Sequence, residues 1–193
     1  MNNKQKKCYH KGMIYEKKYK TSLLSSRIQT PLGDMIAIAN QDGLYLLDFT
    51  DRKHLDHNIQ SIILKTNGII QQGNNPILDL ITEELKAYFA GNLKNFTTPI
   101  HFLGSEFQRN AWNFLTMVPY GMTRSYLQQA IGLGNEKACR AVAHANSKNI
   151  LAIIVPCHRI IASNGKLCGY AGGVERKKWL IRHEEQNQIS RAD

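Results

Sequence analysis

Three features of the sequence predict an α/β fold: strand-like runs between residues 26 and 49, one amphipathic helical stripe near residues 77–89, and a series of shorter helical stripes from residue 107 onward. The expected architecture is a small N-terminal domain of antiparallel sheet and helix, followed by a mainly helical C-terminal domain. With 193 residues, 42% of them hydrophobic, the chain can bury the core of one ordinary domain or of two small ones.

Residues 1–20, MNNKQKKCYHKGMIYEKKYK, hold no sustained period and carry a net charge of +6, which marks a basic, flexible arm. Cys8 and His10 lack partners at metal-ligand spacing, so no metal site is expected there. Strand text then covers residues 27–30, turns at Pro31-Leu32-Gly33, resumes at 35–39, turns at Asn40-Gln41-Asp42-Gly43 and continues through 44–49, which reads as an antiparallel meander. Ile77, Leu80, Ile81, Leu85 and Phe89 recur at helical spacing before Gly91, predicting a helix over 76–90 that packs on the sheet. Nothing between residues 21 and 98 gathers catalytic residue types, and the segment reads as a structural domain. Residues 99–105 form a connector, and residues 106–193 form the second domain.

There, Phe107, Ala111, Trp112 and Leu115 predict a helix ending before Pro119-Tyr120-Gly121. A second helix is expected over 125–132. A third begins near Asn135 as N-cap, with Glu136 in its first turn and Ala138, Ala141, Val142 and Ala145 along one side. Two short helices around a Gly-containing turn make a helix-turn-helix candidate, and an Ala-rich third helix carrying Arg140 is thin enough to approach a nucleic-acid groove. The charge agrees, because the formal +10 is concentrated in the arm and in residues 106–173, at +5, while residues 21–105 carry −2.

No apolar stretch approaches the roughly 20 residues of a membrane span, and the N-terminus lacks the apolar core of a signal peptide, so a soluble, cytoplasmic protein is expected. Four cysteines, at 8, 139, 157 and 168, form no C-x-x-C pair and no disulfide framework. Cys139 and Cys168 are ordinary enough to be packing residues, but Cys157 stands apart. The apolar run 150–155 reads as a buried strand ending in Pro156-Cys157-His158-Arg159-Ile160, where a thiol has an imidazole neighbour able to take its proton directly or through a water. Adjacent residues of extended backbone point to opposite faces, so that relay needs a turn or a bridging water.

This pentapeptide resembles the active-site signature of the O6-alkylguanine-DNA alkyltransferases, the methylated-DNA-protein-cysteine methyltransferases. Pro119-Tyr120-Gly121 with Ser125-Tyr126, Arg140-Ala141-Val142, Asn149 eight residues before the cysteine, Gly169-Tyr170-Ala171-Gly172-Gly173 and a tail with Lys177, Trp179-Leu180-Ile181 and His183-Glu184 are similar in the same order. The strong resemblance covers residues 104–185, and Thr30-Pro31-Leu32-Gly33 extends a weaker one into the first half. It implies a winged-helix-like helix-turn-helix followed by an active-site cysteine loop. It also implies stoichiometric, irreversible repair of O6-methylguanine, with O4-methylthymine a further substrate, in double-stranded DNA bound through the minor groove by a protein monomeric when free. No cofactor or metal is implied.

By position, the resemblance makes Cys157 the alkyl acceptor, His158 with a water its base, Glu184 the group orienting that imidazole, and Asn149 the tie holding the loop. Tyr126 would sit near the base and its 3′ phosphate, Tyr170 would line the base pocket, and Gly172 and Gly173 would allow close backbone approach. Arg140, beside Ala141, would fill the gap left by the extruded nucleotide. Main-chain groups near Val155, Cys157 and Ala171 would read the guanine edge. Relatives often carry Pro where this chain has Ile150 and Glu136, and neither change touches the chemistry. A Cys-His hydrolase would need an oxyanion hole for which the sequence offers no signal. The alternative is a non-catalytic lesion-binding protein of the same fold, against which Cys157, His158 and Glu184 together argue.

Overall fold

The structure, a computed structural model, describes residues 21–189; the expected arm at 1–20 and its Cys8–His10 pair lie outside them. Three strands, β1 (Thr21–Ile28), β2 (Met35–Ala39) and β3 (Leu44–Phe49), form the expected antiparallel meander, with a register shift at Ile38/Ala39. Its turns follow from local chemistry. Gly33 closes the first with its amide on the Thr30 carbonyl at 3.0 Å, and the Asn40 side chain accepts the amides of Asp42 and Gly43, both at 2.9 Å, in the second. The first strand starts six residues earlier than the predicted Arg27, because its N-terminal half pairs with a strand that the sequence did not announce.

That strand, β4 (Gly68–Gln72), runs parallel to β1 and gives the order β3-β2-β1-β4, so the sheet is mixed rather than a pure meander. Parallel pairing needs a crossover, and helix α1 (Leu55–Thr66) supplies it. This helix lacks a sequence start signal: its N-cap is His54, in a left-handed conformation with no side-chain capping bond. Helix α2 (Pro76–Phe89) begins as predicted, with Asn75 accepting the Leu78 amide and Pro at the first turn. Strand alternation sorts side chains to two layers, Ile38, Leu46 and Ile62 on the α1 side and Met35, Ala37, Ile81 and Leu85 on the α2 side.

The second half opens with α3 (Glu106–Thr116), started by a Ser105/Gln108 capping box. A two-residue strand, β5 (Arg124–Ser125), leads into α4 (Tyr126–Gly132), which has the same box from Ser125 and Gln128. After a 3₁₀ turn at Glu136–Ala138, capped by Asn135, α5 (Cys139–Ser147) completes the helix-turn-helix. The hairpin is locked by polar groups as well as by packing. Gln129 and Asn146, both buried, exchange amide hydrogen bonds at 2.7 and 3.2 Å, and the Trp112 indole donates to the Ala145 carbonyl at 2.9 Å.

Of residues 150–155, Ile150 is partly buried and 151–155 are buried as expected, but they are not a strand. Only Leu151 pairs, as an isolated bridge to Leu47; the remainder winds through consecutive tight turns, with Ile154 donating to Ala152, Val155 to Leu151 and Cys157 to Val155 at 2.8–2.9 Å. Ile153 adopts φ +71, a left-handed conformation unfavourable for a β-branched residue, at a cost of about 1–3 kcal/mol. Composition registered the burial of this run and could not register its curvature. The run is docked on the edge of β3 through Leu47 N to Ile150 O (2.9 Å) and Ala152 N to Leu47 O (2.7 Å), and the connector docks on the same strand through Leu44 and His101. A 3₁₀ turn at Cys157–Arg159 follows, then β6 (Ile160–Ile161), paired parallel to β5, and α6 (Val174–Ile189). One apolar core therefore runs from β2, β3 and α2 through Trp112 and Leu115 to Ile153, Val155, Ile160 and Leu180.

Candidate active site

The turn at Cys157–Arg159 places Cys157 at a cavity of about 280 Å³, lined also by Tyr126, Ala143, Ser147, Tyr170 and Ala171. This volume sits near the small end of the ligand-pocket range of roughly 300–1,000 Å³, and is suited to a single flat ring system. The thiol is only 9% exposed, and Asn149 Nδ2 donates to its sulfur at 3.3 Å. Asn149 also donates to the carbonyls of Val155 (2.8 Å) and Leu151 (3.5 Å) while accepting the Leu151 amide at 2.9 Å. One buried amide thus holds both ends of the curved run. Burial pushes the Cys157 thiol above its ordinary range, against the smaller opposing pull of the Asn149 hydrogen bond and of the Arg52 and Lys177 charges. It is a thiol at neutral pH and needs a base to react.

His158, fully buried, follows directly. Its Nε2 lies 2.8 Å from Glu184 Oε1. A carboxylate only accepts, so Nε2 carries the hydrogen and the lone pair is on Nδ1, which has no protein partner among the described residues. Burial drives the imidazole pKa down despite the upward pull of Glu184, so the ring is neutral. The Glu184 carboxylate is unusually well held. Oε1 also accepts from Tyr88 Oη (2.8 Å) and Arg159 Nη2 (3.0 Å), and Oε2 accepts from Arg159 Nε (2.8 Å) and the Gly121 amide (3.1 Å). Burial alone would raise its pKa, but His158 and Arg159 overcome that and hold it well below the usual carboxylate range. Helix α6 delivers this group from a buried stripe of Lys177, Leu180 and Glu184, spaced three and four residues apart.

Tyr126, at the start of α4, donates its hydroxyl to the Cys168 carbonyl at 3.3 Å. The Tyr170 hydroxyl is buried without a protein partner among the described residues, and burial together with the nearby Cys157 thiol keeps its pKa well above the phenol range, so it remains a donor. Gly172 lies outside the cavity wall; a Cβ there would come within 2.8 Å of the Tyr170 ring and 3.1 Å of Phe49. Gly173, at φ +96, makes the turn into α6. Val155 does not line the cavity, and its carbonyl already accepts from Asn149 Nδ2 and from the Cys157 amide, both at 2.8 Å. Arg140 and Ala141 stand exposed on α5, away from the cavity lining.

Four residues outside the sequence-based set complete the arrangement. Lys177, buried, donates to the carbonyls of Ile160, Cys168 and Gly169, tying both ends of the loop that carries Tyr170. Arg159 and Lys177 stood within recognised motifs, so the pattern contained them, though not their contacts. Tyr88 and Arg52 come from the half read as structural, and neither had a signal: a tyrosine in a helical stripe reads as core. Arg52 pairs with buried Asp48 and donates to the carbonyls of Asn149 (2.6 Å) and Ser147 (2.9 Å).

Two family models match the chain: 6-O-methylguanine DNA methyltransferase, ribonuclease-like domain, over residues 18–102, and 6-O-methylguanine DNA methyltransferase, DNA binding domain, over residues 106–186. A methylated-DNA–protein-cysteine methyltransferase of Methanosarcina barkeri is 38% identical over 83% of this chain and 96% of its own length, and that of Shigella flexneri 39% over 84% and 95%. The Mycobacterium tuberculosis O6-methylguanine methyltransferase structure superposes with a TM-score of 0.75 at 34% identity, covering 89% of this chain and 96% of that one. The same organism's OGT in complex with DNA gives 0.73 at 34% identity over 86% and 94%. Near-complete coverage at this identity, on a shared fold, means that the chain belongs to the methylated-DNA–protein-cysteine methyltransferases.

Proposed function

We propose that Cys157 is the residue that accepts the alkyl group when this DNA-repair methyltransferase acts on O6-methylguanine. The observation that carries this assignment is the protonated thiol at the wall of a base-sized cavity, followed by a neutral imidazole whose outer nitrogen is fixed by Glu184. His158 Nδ1 takes the thiol proton through a water, and the sulfur attacks the alkyl carbon in line with the C–O6 bond. That bond breaks with its electron pair going to O6, and guanine regains a proton equal to the one the thiol gave up. The product thioether is a poor leaving group, so each molecule acts once. Asn149, held by Arg52, keeps the sulfur in place, and the Tyr170 hydroxyl is a donor toward the base.

The target atom lies inside the duplex, so the nucleotide must be extruded. Exposed Arg140 and Ala141 on the thin α5 suit entry into the minor groove, where reading is largely independent of sequence, with Arg140 filling the gap and Tyr126 beside the rotated nucleotide. The main-chain groups of Cys157 and Ala171 remain candidates for reading the guanine edge, while the Val155 carbonyl is spent on holding the turn. Residues 21–98 and 106–193 act as two domains around the connector 99–105, in a free monomer of the cytoplasm.

Intact mass after mixing with excess duplex bearing one O6-methylguanine tests the assignment. The expected result is a gain of one methylene, confined to the Cys157 peptide and never repeated. Cys157→Ser is expected to bind the same duplex and gain no mass; stoichiometric transfer to that variant would remove Cys157 as acceptor. Unchanged mass of the unaltered protein despite tight binding would favour a lesion-binding protein without transfer.

A further inference from the structure

A second, larger cavity of about 520 Å³ opens beside the first, and the two share Ser147 and Ala171 in their walls. On one side it is built from the segment entering α1, with Lys53, His54 and His57, and on the other from Lys148 just past the end of α5. The two sides are pinned together by Arg52, which lines the cavity as well but spends its guanidinium on Asp48 and on the Ser147 and Asn149 carbonyls. Lys53 and Lys148 are exposed, and among the described residues neither enters an ion pair. The nearby acids are either engaged or outside the lining. Asp51 is taken by Arg176 and Asp48 by Arg52, and Asp56 does not line the cavity.

The backbone at His54 departs from what a helix start needs. A left-handed φ of +67 without a capping bond is an unfavourable choice for a residue that is not Gly or Asn, and such departures gather where a side chain is being presented for use. The chemistry of the lining, two free ammonium groups and two imidazoles around one concavity, fits a phosphodiester better than any apolar ligand. A strand whose base entered the Cys157 cavity would pass over the shared Ser147–Ala171 wall, and its backbone phosphate would then reach this cluster.

We propose that this cavity is a phosphate seat: Lys53, His54, His57 and Lys148 hold a backbone phosphate of the strand that presents the extruded nucleotide, so the N-terminal half takes part directly in DNA binding. The proposal rests on the reading that the Cys157 cavity receives that nucleotide. Its test is the salt dependence of duplex binding, measured in the Cys157→Ser background so that alkyl transfer plays no part. For Lys53→Gln with Lys148→Gln, the slope of log K against log salt should fall by about 0.9 for one lost phosphate, with affinity at low salt reduced about tenfold and the gap closing as salt rises. Lys53→Arg with Lys148→Arg should retain the original slope. Parallel salt lines for the glutamine pair, or an equal loss of slope in the arginine pair, overturn the proposal. A failure of the Cys157 assignment would appear in the mass measurement instead, leaving the two outcomes separable.

Discussion

At the scale of single residues, the unexpected feature of the site is that its sulfur is not primed as a thiolate. Cys157 is pushed up from 9.0 chiefly by burial, and His158 down from 6.5 for the same reason, so thiol and neutral imidazole coexist across the neutral range. The sign matters for rate. A base with a lowered pKa stays competent below its ordinary value, and a thiol with a raised one does not ionise by itself until well into the alkaline range. The rate of reaction with free O6-benzylguanine, which excludes DNA binding from the readout, should therefore be level between pH 6.5 and pH 9.0 and fall only at more acid pH. A rate climbing tenfold per unit through neutrality would mean that free thiolate reacts unaided.

Glu184 has a structural role that is separable from this chemistry. Its depressed pKa means that its stabilising effect is present above the unfolded carboxylate value of 4.5 and is lost as pH falls toward the folded one. Glu184→Gln leaves Arg159 buried without its counter-charge, which should cost about 3–5 kcal/mol and lower the melting temperature by roughly 6–20 °C. Thermal unfolding at neutral pH measures this, and a change of a degree or two would show that the Tyr88, Gly121 and Arg159 contacts are dispensable.

Among the elements, α5 and α6 show how a helix can be legible in sequence while its purpose is not. Both were expected from spacing and motif. Yet α6 buries Lys177 and Glu184 on its inward face, so two of the three residues in its buried stripe are charged and give little amphipathic pattern. In α5 the small residues that pack, Val142 and Ala145, alternate with exposed Arg140, Ala141 and His144. Arg140→Ala should slow repair in duplex DNA by tenfold or more, about 1.4 kcal/mol of transition-state stabilisation, with a much smaller effect on free O6-benzylguanine. Equal losses with both substrates would deny Arg140 a part in extrusion. Two of the elements that escaped prediction, α1 and β4, lack a local signal: one starts without a capping side chain, and the other exists only because β1 offers it a parallel partner.

Across the whole molecule, the half that looked structural is part of the site. β3 docks the curved run before Cys157, Tyr88 reaches Glu184 and Arg52 reaches Asn149. Arg52→Ala should destabilise the fold by about 3–5 kcal/mol, because Asp48 is left buried and unpaired, and should also slow the reaction with free O6-benzylguanine. Adding Asp48→Asn should restore stability in denaturant unfolding without restoring the rate. Recovery of both together would confine Arg52 to folding. No helix among the described residues is long and apolar enough to cross a membrane.

The sequence by itself determined the order of strands and helices wherever caps, turns and periodicity lie within a few residues of one another, and it placed Cys157, His158, Asn149 and Glu184 in a recognisable succession. These signals are local, and local spacing carries them. The tertiary structure alone decided that the apolar run at 150–155 bends into turns, that the sheet takes a parallel fourth strand, and that Tyr88 and Arg52 meet groups 96 and 97 residues away. Contacts at such separation depend on how one continuous core closes around both halves, and no periodicity within either half encodes that closure.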